Sequence, residues 1–423
     1  MISKKIQKEN LKKFLLVSNK YDSEENFKKI DKIKEIINEL NSYLDKEIID
    51  KIMQTHKDYD FGVKFLNFLE LHRKHDSKTI TKLLGLKNSR LIESWYRKYP
   101  PRPIRTLLTI YFNNYYKISK EDLAYLFGRG FGDGGLDSTL SYYFICGKKQ
   151  DLLKIKNYLN QKMPSLPIIL KTNFGKNSIK RANGKIINIY GNDSWILHMR
   201  DSSFCKLLYS LRLPKGNKVL QKTYIPNWIR KGNQKIKKAF LNSLFEGELQ
   251  KHKVQYNIKK NKVEICPITF GLSKIKRYKS NLIKFLNEIR GMLEEFNIKS
   301  TKVEEPKLSN IRKDEFVTCS SRFYISTSAI NTLRFYNLFD YQFNKEKRGA
   351  LIKAAEEAKI KLARMSSQML KYMKAVELYM NGLSLYKIAK KLDIQYSTAK
   401  NWLKINKHLP TLFREEGDFL AEI

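Results

Sequence analysis

The 423-residue sequence has no apolar run near the 18 residues that a membrane-crossing helix requires, and its opening MISKKIQKENLKKF has no signal-peptide core. Those absences point to a soluble, cytoplasmic chain with no membrane partner. Cysteine is sparse: Cys146, Cys205, Cys266 and Cys319 are scattered without a CxxC pair, which argues against a disulfide framework or a cysteine zinc site. The six histidines offer one helical-range pair, His72 and His75, which fits a solvated helix face better than a metal. Acid is in deficit too, with 42 Asp+Glu against 82 Lys+Arg and a net charge of +40. Lysine-favouring codon usage accounts for part of such an excess. The rest asks for a polyanionic partner, nucleic acid before any other. With 42% hydrophobic and 12% aromatic residues the chain can still build cores.

The pattern divides the chain into four segments. Residues 1–103 read as helical and charged, closing on the proline cluster of KYPPRPIR. Within them, residues 77–98 (SKTITKLLGLKNSRLIESWYRK) have the form of two short helices about a Gly85 turn, as in a helix-turn-helix. Residues 104–232 and 233–360 alternate strand and helix in the same order: STLSYYFICG, KKQDLLKIKNYLNQ, GKIINIYGN and SSFCKLLYSLR, then NKVEICPITFGLS, SNLIKFLNEIRGMLEEF, RFYISTS and SAINTLRFYNLF. The middle is therefore a repeated α+β unit. Residues 361–423 contain the clearer helix-turn-helix pattern, with Gly382 and Ser384 as stop and cap and Trp402 as core anchor. Tyr396, Ser397, Thr398, Lys400 and Asn401 are then free to face a DNA groove.

Each half opens with a comparable helix, LAYLFGRGFGDGG and IKKAFLNSLFEGELQ. Aligning the terminal acids pairs Asp133 with Glu248, Gly132 with Gly247 and Gly128 with Ser243. Small residues four apart let two helices touch backbone to backbone, which would bring both acids together at their C-terminal ends. An acid there opposes the helix dipole. Two such acids are tolerable with divalent cations between them, and hard oxygen ligands suit Mg²⁺.

These two helices resemble the signature helices of the LAGLIDADG homing endonucleases of the monomeric, double-motif type. The resemblance extends through SLRLPKGNKVLQKTYIPNWIRKGNQ and YNLFDYQFNKEKRGAL, over roughly residues 119–350. It implies two pseudo-symmetric αβ repeats whose antiparallel sheets form a basic saddle over double-stranded DNA. The chain would act as a monomer on a long specific target, as in intron homing, flanked here by the helix-turn-helix regions. Asp133 and Glu248, one per repeat, would hold Mg²⁺, or Mn²⁺ in its place, for phosphodiester hydrolysis. Lys148 and Lys251 match the basic residues beside the scissile phosphates, and Lys274 is a weaker counterpart of Lys148 that would contact DNA. Two departures stand out: Arg129 should point out of the helix pair, and Leu249 replaces an expected glycine. The competing functions are an RNA-binding intron maturase and a catalytically inactive DNA-binding regulator on the same fold. A self-splicing insert is not expected, because Met1 is no splice nucleophile and the chain ends GDFLAEI.

Overall fold

A computed structural model describes residue 14, residues 24–97, 99–172, 176–190, 194–258 and 262–405, and residue 410. The helical start follows its apolar spacing. In α1 (Glu24–Tyr43), Ile30, Ile33, Ile37 and Leu40 recur every three or four residues and all are buried. Next come α2 (Lys46–Gln54), α3 (Tyr59–Leu71), α4 (Ser77–Leu83) and α5 (Arg90–Arg97). The Asp76 side chain caps α4 by accepting from the Thr79 amide, and Gly85 turns the chain at a φ of +60°. Helix α5 sets Trp95 and Tyr96 against Phe68 of α3, with ring centroids 5.3 and 5.1 Å apart. The prolines do not end the helical region. Pro103 lies in the first turn of α6 (Arg102–Phe112), which buries Ile104, Leu107 and Leu108 in the same core.

The middle of the chain runs α7 (Lys120–Phe131), β1 (Gly134–Leu136), β2 (Tyr143–Gly147), α8 (Lys149–Lys162), β3 (Ile168–Thr172), β4 (Lys176–Arg181), β5 (Ile186–Tyr190), β6 (Trp195–Met199) and α9 (Ser202–Ser210). After the short α10 (Asn227–Arg230) come α11 (Gln234–Glu248), β7 (Val254–Asn257), β8 (Lys262–Ile265), β9 (Ile268–Ile275), α12 (Lys279–Glu294), β10 (Lys307–Ile311), β11 (Val317–Ile325) and α13 (Ala329–Leu338). The strands form antiparallel sheets in the orders β1-β2-β6-β3 and β5-β4-β10-β11-β9, with β7-β8 as a separate ribbon. The architecture is thus mixed helix and antiparallel sheet. The two larger sheets are unequal. The β4–β5 hairpin of the first half adds to the second half's sheet, where Arg181 pairs with Asn310 on the edge of β10. The stretch NKVEICPITFGLS, expected as one strand, is two, because Pro267 lacks the amide that would continue the ladder.

One buried apolar cluster runs from Ile30 to Leu351 and so spans the helical start and both halves. Helix α14 (Lys345–Met380) then extends for 36 residues, followed by α15 (Leu385–Leu392) and α16 (Tyr396–Leu403). These close a separate small core of Ala375, Leu378, Ile388 and Trp402. Gly382 turns the chain at φ +81°, and Ser384 caps α15 through the Lys387 amide. No helix among the described residues is long and apolar enough to cross a membrane.

Candidate active site at the paired helix ends

Helices α7 and α11 lie side by side because their facing residues are small. A methyl group on Gly128 would come within 1.8 Å of Ser243 Oγ and 2.3 Å of the Phe240 carbonyl. The Ser243 hydroxyl instead donates across the pair to the Tyr125 carbonyl at 2.7 Å. One turn on, each acid reaches over the other helix's glycine. A methyl on Gly247 would sit 3.1 Å from Asp133 Oδ2, and one on Gly132 3.2 Å from Glu248 Cγ. The two carboxylates therefore share one site at the helix ends. Burial, and after it the charge of Asp133, pushes the Glu248 carboxyl up to about 7. A cavity of about 300 Å³ opens beside it, lined by Gly132, Lys218, Thr223, Glu248, Ser273 and Lys274 among others. A larger cleft of about 690 Å³, lined by Lys51, Arg212, Lys215 and Lys222, contains neither acid.

The positive charge that the helix ends require comes from two lysines that sequence reasoning missed. Lys218 Nζ donates to the carbonyls of Gly130, Phe131 and Gly134 at 2.8–2.9 Å, and also to that of Gly132. Lys347 does the same for α11, donating to Phe245, Glu246 and Gly247 at 3.1, 2.8 and 2.9 Å. Each helix thus ends on one ammonium, which satisfies carbonyls that have no partner within the helix and offsets the dipole beneath the acid. Burial lowers both ammonium groups to about 8, while the charges of Glu248 and Asp133 pull the other way.

Arg129 does not point outward as expected. It is 5% exposed, donates to Glu246 across the helix pair, and its Nε donates to Tyr125 Oη at 3.1 Å. Glu246 also accepts from the Phe343 amide at 2.8 Å, so the interface contains a satisfied ion pair and not an unpaired charge. Leu249 is buried with an extended backbone of φ −67° and ψ 139°, so no glycine is required at that position.

The other expected lysines separate into two environments. Lys148 and Lys251 stand exposed, and both donate to Glu346, at 2.6 and 2.7 Å. Lys274 is no surface contact for DNA, because it is 4% exposed and its ammonium is taken up by the Lys218 and Gln221 carbonyls at 2.5 and 2.9 Å. It holds the segment that carries Lys218. On α16, which packs into the separate C-terminal core, Tyr396, Ser397 and Lys400 are exposed and Thr398 and Asn401 half-buried.

Among the described residues no three His, Cys, Asp or Glu side chains cluster as a metal site. A cation here would rest on Asp133 and Glu248 alone. That donor set fits a hard divalent ion, because two carboxylate groups sharing one partly buried space offer only hard oxygen donors.

No protein-family profile matches the sequence. The chain is 31% identical over 228 residues to the DNA-directed RNA polymerase subunit Rpo1N of Methanocaldococcus jannaschii, covering 53% of this chain and 16% of that protein. It is 28% identical over 200 residues to the tRNA-splicing ligase RtcB of Methanopyrus kandleri (45% and 18%) and 26% identical over 164 residues to the replication factor C small subunit of M. jannaschii (39% and 8%). The chain thus spans less than a fifth of the length of these relatives. Among solved structures it is similar to the homing endonuclease I-WcaI bound to its DNA recognition sequence, at 15% identity and TM-score 0.32 (55% and 87% covered). It is also similar to I-DmoI in complex with DNA and Mn, at 16% identity and TM-score 0.29 (52% and 96% covered).

Proposed function

We propose that the chain is a site-specific double-strand DNA endonuclease of the LAGLIDADG type. The observation that carries this reading is the juxtaposition of Asp133 and Glu248 at two helix ends that touch backbone to backbone, each end held by its own buried ammonium. On this reading residues 104–232 and 233–360 are two repeats around that helix pair, and their antiparallel sheets form the DNA-facing saddle. Residues 1–103 and the helix-turn-helix of 361–423 extend the footprint, the latter through Tyr396, Ser397, Thr398, Lys400 and Asn401.

Asp133 and Glu248 would hold the divalent ion, Mg²⁺ or Mn²⁺, which supplies Lewis-acid stabilisation of the phosphodiester oxygens and activation of water. Lys218 and Lys347 fix the helix ends so that the carboxylates stay in place, and their charge offsets the negative charge that develops on the phosphate. Lys148 and Lys251 stand at the exposed rim, where the nucleic-acid backbone approaches. The relatives do not favour a polymerase or ligase function. Segments of this chain match three proteins of unlike name, each over a minor part of its length, which is how a carried module behaves. The test is to incubate purified protein with a random-sequence DNA library and Mg²⁺ and to sequence the ends. Double-strand breaks at one site class, absent in Asp133→Asn, are expected. Equal cutting by parent and variant, or no cutting by either, would overturn the assignment.

A further inference from the structure

Glu346 lies in the first turn of α14, next to Lys347. Its carboxylate accepts from Lys148, which follows β2 of the first half, and from Lys251, which follows α11 of the second. The three side chains are 51%, 73% and 46% exposed, so no packing forces them together. Charge unites them: a pair of oxygens with one negative charge bridges two ammonium groups, as the unesterified oxygens of a phosphodiester would. The two lysines hold the carboxyl down at about 2, so it stays charged throughout the working pH range. The main chain beneath it is fixed, because the neighbouring Lys347 is anchored on three carbonyls of α11. The Glu346 side chain alone has to swing aside for the two ammonium groups to become accessible.

Resting on the endonuclease reading above, we infer that Lys148 and Lys251 together form one phosphate-binding site for the nucleic-acid backbone, and that Glu346 occupies it in the free protein as a built-in substitute for that phosphate. The backbone phosphate displaces the carboxylate on binding. Glu346 is then an internal counterion: it cancels one of the two lysine charges that would otherwise neutralise phosphate, so one fewer cation leaves the DNA on binding.

The test is binding of a labelled random-sequence duplex, followed by anisotropy across a salt titration without divalent metal. Glu346→Gln should bind about three- to tenfold tighter at low salt, with a log K against log[salt] slope steeper by about 0.9, one counterion's worth. Glu356→Gln, which makes the same charge change ten residues along the same helix, should fall well short of both effects. In a Lys148→Met/Lys251→Met background, Glu346→Gln should change nothing. Equal effects of the two glutamate variants, or an undiminished Glu346→Gln effect in that background, would overturn the inference alone. Failure of the parent to bind the duplex at any salt would overturn the endonuclease reading and this inference with it.

Discussion

Replacing Glu248 with glutamine should stabilise the metal-free protein at alkaline pH while removing its cleavage. Burial, followed by the charge of Asp133, raises the carboxyl from an ordinary 4.5 to about 7 in the folded chain. In the unfolded chain it ionises near its ordinary value. Below pH 4.5 both states hold the proton and no penalty exists. Between 4.5 and 7 the unfolded chain releases a proton that the folded chain keeps, so stability falls as pH rises. Above 7 the full penalty is present. At about 1.4 kcal/mol per tenfold change in proton affinity, the penalty reaches roughly 3 kcal/mol near pH 8. Glutamine has the same shape and no charge to desolvate, so it relieves this term. The assay is denaturant unfolding followed by fluorescence of the chain's four tryptophans, near pH 5 and near pH 8, with chelator and with Mg²⁺. With chelator the variant should exceed the parent by about 2–3 kcal/mol at the higher pH and by less than about 1 at the lower. Mg²⁺ should raise the parent and leave the variant nearly unchanged. Equal stability near pH 8, or a gain of the same size at both pH values, would refute the claim that the two carboxylates crowd one site.

The remaining predictions follow from single contacts. Gly128→Ala places a methyl on Ser243 Oγ and the Phe240 carbonyl and should destabilise by about 3 kcal/mol or more. Gly291→Ala, in a helix interior with nothing nearby, should instead gain about 0.5–1 kcal/mol in the same melts. Lys218→Met leaves the carbonyls at the end of α7 without their donor. It should lower the cleavage rate by about a hundredfold, measured on cleavable plasmid, while duplex affinity shifts only a few-fold. Trp402→Ala should cost the small C-terminal core about 3–5 kcal/mol, and hydrogen exchange should show α15 and α16 losing protection while the main body keeps its own.

The acids were legible in the sequence because they belong to a pattern: a small residue, three more positions, a small residue, then an acid, twice in one chain. Their compensating cations were legible as a need and not as an identity. A helix that ends on an acid requires compensation, and in sequence reasoning it was assigned to a divalent cation, while Lys148 and Lys251 were placed beside the scissile phosphates. Space at a helix end is filled by whatever the fold returns there, and the donors come from more than 80 residues away. Arg129 was misread for a related reason. A cation in a small-residue stripe was assumed to face solvent, while Glu246, two residues before Glu248, already offered a buried partner of opposite charge. Short basic strands such as β3, β4 and β10 were not seen either, since they carry little apolar alternation and owe their pairing to neighbouring strands. Yet Lys218 follows α9 by a short loop, and Lys347 follows α13 in the same way. The lysines therefore repeat along with the acids, and each half supplies a helix ending in a carboxylate together with the ammonium that makes such an ending stable. Carrying the repeat comparison past the last helix of each half would have found them, because a feature that opposes a helix dipole twice must be compensated twice.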